Sequence, residues 1–242
     1  LFHEEGMENI QVIRKARIPI IKFRDPRSGL DVDISLDNRL AIHNSMMMKS
    51  YAQEERLQRL IQMVKYWASR RGINNAFEGT LSSYAWTLLS IQHAQLVQPP
   101  LAPNRQEDVD SNPLNFKGTT YDVGYSDEHY ATENNQSLAS LLISFFDRFA
   151  TRWDWENMVV SVRSGEALST KSKKWQHTGP LPLEVVTGAD DGWMEHVMPI
   201  EDPFNHEHDL SRVVRAEGAM TIQNEFMRII ELLSKGSSWK DI

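Results

Sequence analysis

A strand–turn–strand pattern at the head of an otherwise helical sequence sets the tightest limit on the fold. Ala16-Arg17-Ile18-Pro19-Ile20-Ile21-Lys22-Phe23 and Leu30-Asp31-Val32-Asp33-Ile34-Ser35 are β-like runs flanking the turn Asp25-Pro26-Arg27-Ser28-Gly29, which together predict a hairpin. Pro19 lacks an N–H and hints at an edge or a bulge in the first strand. Period-two alternation puts Asp31 and Asp33 on one face of the second strand and Val32 and Ile34 on the other. A lone hairpin is marginal in water, so this one needs more sheet than the remaining sequence supplies.

The period then becomes helical. Leu57, Leu60, Ile61, Val64, Trp67 and Ala68 form one apolar stripe, while Lys65 and Ser69, four apart, share a different face. A second helix is expected from about Ser82 to Val97, stopped by Pro99-Pro100. Leu138, Leu141, Leu142, Phe145 and Phe149 define a third, and Phe226, Ile229, Ile230 and Leu233 a fourth. Met158 to Val162 reads as a strand feeding a turn at Ser164-Gly165. Between Pro99 and Gln136 lies a polar, acidic stretch without a period, and loops of that length are usually functional or mobile. Residues 164–192 look similar; the loop, with Lys171, Lys173 and Lys174 beside Trp175, is read as solvated rather than RNA-facing. Trp153, Trp155, Trp175 and Trp193 are assigned to packing.

Composition excludes several classes. The 242 residues contain no cysteine, which rules out disulfides and thiolate metal sites and fits a reducing compartment. No window approaches ~18 uncharged apolar residues, so no membrane span is expected. Leu1 to Met7 lack the basic start and apolar core of a secretory signal. The net charge of −7 argues against binding nucleic acid through bulk charge. It hides an asymmetry, however: residues 11–71 hold 13 Lys/Arg against 6 Asp/Glu. A basic segment in an acidic chain suits a local polyanion such as a triphosphate or an RNA backbone, with a solvated helix face as the plain alternative.

Several strings resemble one family. Leu30-Asp31-Val32-Asp33-Ile34-Ser35-Leu36-Asp37-Asn38-Arg39-Leu40-Ala41-Ile42-His43-Asn44-Ser45 is similar to the third-carboxylate segment of the terminal uridylyltransferases and poly(A) polymerase-like enzymes. Val64-Lys65-Tyr66-Trp67-Ala68, Asn74, Gly79-Thr80-Leu81-Ser82-Ser83-Tyr84 and Ile200-Glu201-Asp202-Pro203-Phe204 follow in that family's order, and the blocks run from about Ile18 to Leu233. The fungal caffeine-induced-death-protein type is the subgroup most resembled. The resemblance implies an α+β chain: residues 1–40 as the C-terminal remnant of a polymerase-β-like nucleotidyltransferase palm, and residues 41–242 as a mainly helical central domain with the poly(A) polymerase-associated segment. It further implies a cytosolic enzyme that adds nucleotides, UTP favoured, to an RNA 3′ end with Mg²⁺ (or Mn²⁺) as cofactor.

Site residues follow by matching positions. Two-metal chemistry needs three converging carboxylates, and Asp33 matches the third; a solvent-facing strand aspartate is its plain alternative. The other two belong to an Asp-x-Asp pair after a Gly-Ser motif; Asp31-Val32-Asp33 has that spacing, but no Gly-Ser precedes it and an Ile-Ser-x-x-Asn context follows, so it is not read as that pair. The chain is therefore expected to lack an N-terminal catalytic segment and to be inactive alone. Asn38, Asn44 and Ser45 match ribose contacts, with helix capping as the alternative. Lys65 matches a triphosphate lysine. Ser69 stands where the family commonly has a second lysine, which Arg70 or Arg71 replaces poorly because neither shares the face. Tyr84 matches the aromatic that stacks on the base, with Ser83 beside it. Asp202 is expected to accept from the base edge, and His208 matches a histidine occupying space a purine would need. Asn205 stands where close relatives carry a glutamate; an amide serves UTP or CTP by flipping, whereas a carboxylate only accepts. A zinc site at His206, Glu207 and His208 lacks the helical His-Glu-x-x-His spacing. The remaining alternatives are a CTP- or ATP-adding enzyme and an inactive paralogue that binds RNA or a partner protein.

Overall fold

The protein is described by a computed structural model covering residues 5–14, 18–175 and 196–237. Ala16, Arg17 and Trp193 lie outside the described residues. Three antiparallel strands come first, β1 (Glu8–Ile13), β2 (Ile20–Asp25) and β3 (Leu30–Ser35), in the order β1-β2-β3. The expected hairpin is β2–β3, with Lys22 opposite Asp33 and Arg24 opposite Asp31. Asp25 builds its turn: one carboxylate oxygen accepts the Arg27 N–H at 3.0 Å and the other the Ser28 hydroxyl at 2.7 Å. Gly29 adopts φ +70°, a conformation a side chain resists.

The strand order corrects the edge position read from Pro19, because β2 is central. Pro19 stands just before the first ladder residue, where a missing N–H costs no sheet bond. The second edge is β1, which alternation did not reveal. A bulge between Glu8 and Gln11, with Asn9 at φ +55°, breaks its period of two. Register puts Val12, Ile21 and Ile34 on one sheet face, and Val12 and Ile34 stay exposed there.

Helix α1 (Arg39–Tyr51) buries Leu40, Met47 and Tyr51. No apolar stripe announced it, because Ile42 and Met46 face solvent and blur the period. Helix α2 (Glu55–Arg70) buries Leu57, Leu60, Val64, Trp67 and Ala68 of the expected stripe. Helix α3 (Ser83–Leu96) starts where the Ser82 hydroxyl accepts the Ala85 N–H at 3.2 Å.

The stretch from Pro99 to Gln136, read as aperiodic, contains a hairpin of β4 (Pro113–Phe116) and β5 (Thr119–Asp122) turning at Lys117-Gly118, both with positive φ. Two arginines tie the rest of it down. Buried Arg105 donates to the carbonyls of Ser50, Ser126 and Glu128 at 2.8–3.0 Å, and Arg56 to those of Asn134 and Gln136 at 2.8 and 3.0 Å. Arginine satisfying backbone carbonyls leaves no periodic trace in a sequence, which is why the order was missed.

Helix α4 (Leu138–Asp147) runs into a π-helical turn at Arg148–Arg152, and two short strands, β6 (Met158–Val159) and β7 (Leu168–Ser169), pair ahead of the single-turn helix α5 (Thr170–Lys173). Helix α6 (Ala216–Ser234) closes the core. Its Phe226 meets the rings of Trp67, Trp86 and Phe149 at centroid distances of 5.5, 5.8 and 6.2 Å. Trp153 and Trp155 pack at the margin of this cluster. Among the described residues no helix is long and apolar enough to cross a membrane.

One buried titratable group makes stability depend on pH. His93, in α3, accepts from Arg148 Nε at 3.1 Å and meets the Ser144 hydroxyl at 3.0 Å. Burial first, and the Arg148 charge second, push its pKa down from 6.5 to about 3. Between those values the unfolded chain binds the extra proton, so this group lowers stability as pH falls below 6.5 and adds no slope above it. The slope from one such site is about 1.4 kcal/mol per pH unit. Urea titrations at pH 7 and 5 are expected to show His93→Gln flattening that dependence; an unchanged slope would refute the assignment.

Candidate functional site

The loop after Ile200 holds the sequence-predicted base-reading residues, and buried charge holds the loop. Glu201 is fully buried at the side chain and accepts from the Ser161 hydroxyl at 2.5 Å, from Arg163 Nη2 at 3.0 Å and from Lys173 Nζ at 3.0 Å. Burial pushes its carboxyl up, but the bonds from Arg163, Ser161 and Lys173 outweigh that and hold it below the ordinary range. Asp202 folds back on its own loop: one oxygen accepts the N–H groups of Phe204 and Asn205 at 3.0 and 2.9 Å. The Asp202 N–H donates to the His208 carbonyl at 3.1 Å, and the His208 N–H to the Asn205 carbonyl at 2.8 Å, closing a compact turn. Asp209 then accepts from the Ile200 and Ser211 N–H groups at 3.0 and 2.9 Å. Asn205 and His208 are half-buried.

These contacts correct the reading of Lys173 as solvated, and they agree with the packing role given to Trp175. Lys173 Nζ also donates to the His206 carbonyl, and its ammonium lies 4.7 Å from the Trp175 ring centre. Trp175 is buried and stacks on His196 at 4.9 Å. Lys171 and Lys174 remain exposed. No sequence period marked Lys173, because its partners lie 28 and 33 positions away.

Tyr84, near the start of α3, belongs to the same neighbourhood. Burial, and then the Asp202 charge, push its hydroxyl well above the ordinary tyrosine value. That hydroxyl is buried with no hydrogen-bond partner among the described residues. Ser83 is exposed and exchanges hydrogen bonds with the Asn74 amide at 2.9 and 3.1 Å.

The residues expected at the ribose divide over α1. Asn38 and Ser45 line an open groove of about 570 Å³ with Arg39, Ile42, Met46 and Lys49. Asn38 occupies the N-cap position of α1 without a side-chain capping bond. The Ser45 hydroxyl donates to the Ala41 carbonyl at 2.8 Å. Asn44 does not line this groove; its Oδ1 is buried without a partner among the described residues. Asn44 Oδ1 and the Tyr84 hydroxyl are two of eight buried side-chain polar atoms without a partner among the described residues, and these two sit at positions that the sequence assigns to the nucleotide.

Lys65, on α2, is half-buried with no ion pair among the described residues, and Ser69 and Arg70 are exposed. Arg71 is committed elsewhere: Nε and Nη2 each reach a Glu225 oxygen of α6 at 2.8 Å. Asp33 is exposed and pairs with Lys22 at 3.2 Å, while Asp31 pairs with Arg24 at 3.2 Å. Among the described residues no group of three His, Cys, Asp or Glu side chains converges to hold a metal ion. A lone, ion-paired carboxylate does not fit a two-Mg²⁺ centre, so these residues alone do not make one.

Three antiparallel strands followed by a helical body that carries a clamped Asp-Pro-Phe loop make an α+β architecture. The family model described as "Poly(A) RNA polymerase, mitochondrial-like, central palm domain" matches residues 1–53, and "Cid1 family poly A polymerase" matches residues 137–208. Terminal uridylyltransferase cid1 of Schizosaccharomyces pombe is 34% identical over 251 residues, covering 96% of this chain and 59% of that protein. Poly(A) RNA polymerase GLD2-A of Xenopus laevis is 30% identical over 228 residues, covering 92% and 41%. The solved structure of Cid1 poly(U) polymerase with Mg 3′-dATP bound superposes with a TM-score of 0.79 at 32% identity, covering 96% of this chain and 69% of that one. The chain belongs to the Cid1-type family of poly(U) and poly(A) RNA polymerases, and spans about 59% of the length of the curated uridylyltransferase it matches.

Proposed function

We propose that this chain carries the nucleotide-holding part of an enzyme that transfers nucleotides, UTP favoured, to the 3′-hydroxyl end of RNA without a template, releasing pyrophosphate. The observation that carries the reading is the buried Tyr84 hydroxyl, without a partner among the described residues and within the field of the Asp202 charge. In this reading the Tyr84 ring stacks on the base, a contact of about 1–3 kcal/mol that every base can make. Asn44 meets the ribose with Asn38 and Ser45 at its border, and Lys65 meets the triphosphate as a point charge, with Ser69 and Ser83 adding hydroxyl contacts. Asp202, Asn205 and His208 select the base. Asp33 contributes one of the carboxylates a divalent metal, Mg²⁺ or Mn²⁺, requires. The domain division is residues 1–40 for the catalytic part and 41–242 for the helical part. A structural neighbour described as a cytoplasmic RNA terminal U-transferase supports a cytoplasmic location.

ATP addition is the second reading, favoured by the relatives described as poly(A) RNA polymerases. Incorporation of each of the four NTPs on an A-rich RNA, using the natural full-length protein, separates the two. UTP is expected to lead, and His208→Ala to shift incorporation from UTP toward ATP by about tenfold, the scale of steric selection in a pocket. If ATP outcompetes UTP in the unmodified protein, the role given to His208 fails.

A further inference from the structure

We infer that Lys173 is a positioning residue for base selection: its ammonium sets the depth of the Asp202–His208 loop and so the places of Asn205 and His208. The inference rests on the function proposed above. Only 12% of the Lys173 side chain is exposed, and Nζ grips the loop twice, at the Glu201 carboxylate (3.0 Å) and at the His206 carbonyl. That carbonyl lies between the two residues assigned to the base, one position after Asn205 and two before His208. The same segment holds the far end of the loop. Trp175 stacks on His196 with an interplanar angle of 5°, and His196 Nδ1 meets Asp209 Oδ2 at 2.8 Å.

Start, middle and end of the loop are therefore referred to one short segment far from it in sequence. Rejecting a purine by the bulk of a side chain needs that side chain placed to within about 0.5 Å, so whatever sets the loop's depth sets the selection. A charge-assisted bond to a loop carbonyl, made where little water reaches, suits that task better than an exposed one.

The experiment compares kcat/KM for UTP and for ATP on one RNA primer, and the Kd of each nucleotide without turnover, in the natural full-length protein. Glu201 keeps Ser161 and Arg163 when Lys173 is removed, so Lys173→Met is expected to fold with a Tm near the parent's. It is expected to lower the UTP:ATP ratio by about tenfold, mainly through KM, and Lys173→Arg to recover much of the ratio. Lys171→Met, two positions away and exposed, leaves the ratio unchanged. A folded Lys173→Met protein with an unchanged ratio, or with equal losses for both nucleotides, overturns the inference. Should that variant fail to fold, Lys173→Gln, which keeps an N–H donor but no charge, decides by the same two outcomes. If the unmodified protein transfers no nucleotide, the proposed function fails instead, and the ratio of Kd values still judges Lys173.

Discussion

Alanine at Asp33 is expected to cost the natural full-length protein more than about 100-fold in kcat/KM for nucleotide transfer, exceeding the 10- to 100-fold typical of residues that only support a metal ligand. Folding stability is expected to change little. The Asp33–Lys22 pair sits on the surface, with about half of each side chain exposed, and such pairs contribute about 0–1 kcal/mol. The two readouts together make the variant informative: lost transfer with an unshifted Tm assigns Asp33 to chemistry, whereas retained transfer returns it to the role of a strand aspartate paired with its neighbour. The 242-residue chain by itself is expected to be inactive, because no three metal-binding side chains converge among its described residues. Robust tailing by that chain would show the assignment to be mistaken.

Phe226→Ala is expected to destabilise the helical body by about 3–5 kcal/mol, the range for a large buried aromatic replaced by alanine. Phe226 is fully buried and touches rings from α2, α3, α4 and the π-helical turn. Its loss opens a void where four elements meet. Urea unfolding followed by tryptophan fluorescence reads the change through Trp67 and Trp86; a loss below about 1 kcal/mol would mean the cluster repacks. The effect reaches the site as well. Helix α6 carries Glu225, which holds Arg71, and Gly218, whose missing side chain lets the helix pass against the Gly79 carbonyl. The segment from Gly79 leads directly to Ser83 and Tyr84.

Much of this was legible in the sequence where a repeating rule applies. The stripe from Leu57 to Ala68 and the start of α3 at Ser82-Ser83 obey the helix period and the capping rule, and both are found. The hairpin around Asp25 to Gly29 was legible from its turn chemistry. Helix α1 was not, since Ile42 and Met46 point outward, and neither was β1, since a bulge at Asn9 breaks its alternation. The stretch from Pro99 to Gln136 was misjudged for another reason: its order comes from Arg56 and Arg105 bonding to carbonyls scattered along the chain.

The candidate site divides in the same way. The resemblance of short strings to one family, taken in their order along the chain, proposed Asp33, Lys65, Tyr84 and the Asp202–His208 loop as candidates. That candidate inventory, and the α+β class that the structure shares, came from the sequence through its resemblance to the family. Only the tertiary structure decided that Asn44 and Tyr84 bury polar atoms without partners among the described residues, that Arg71 is spent on Glu225, and that Lys173 clamps the loop rather than facing solvent. Those outcomes depend on which groups distant in sequence are desolvated together, and desolvation is a property of the folded volume that no local period encodes.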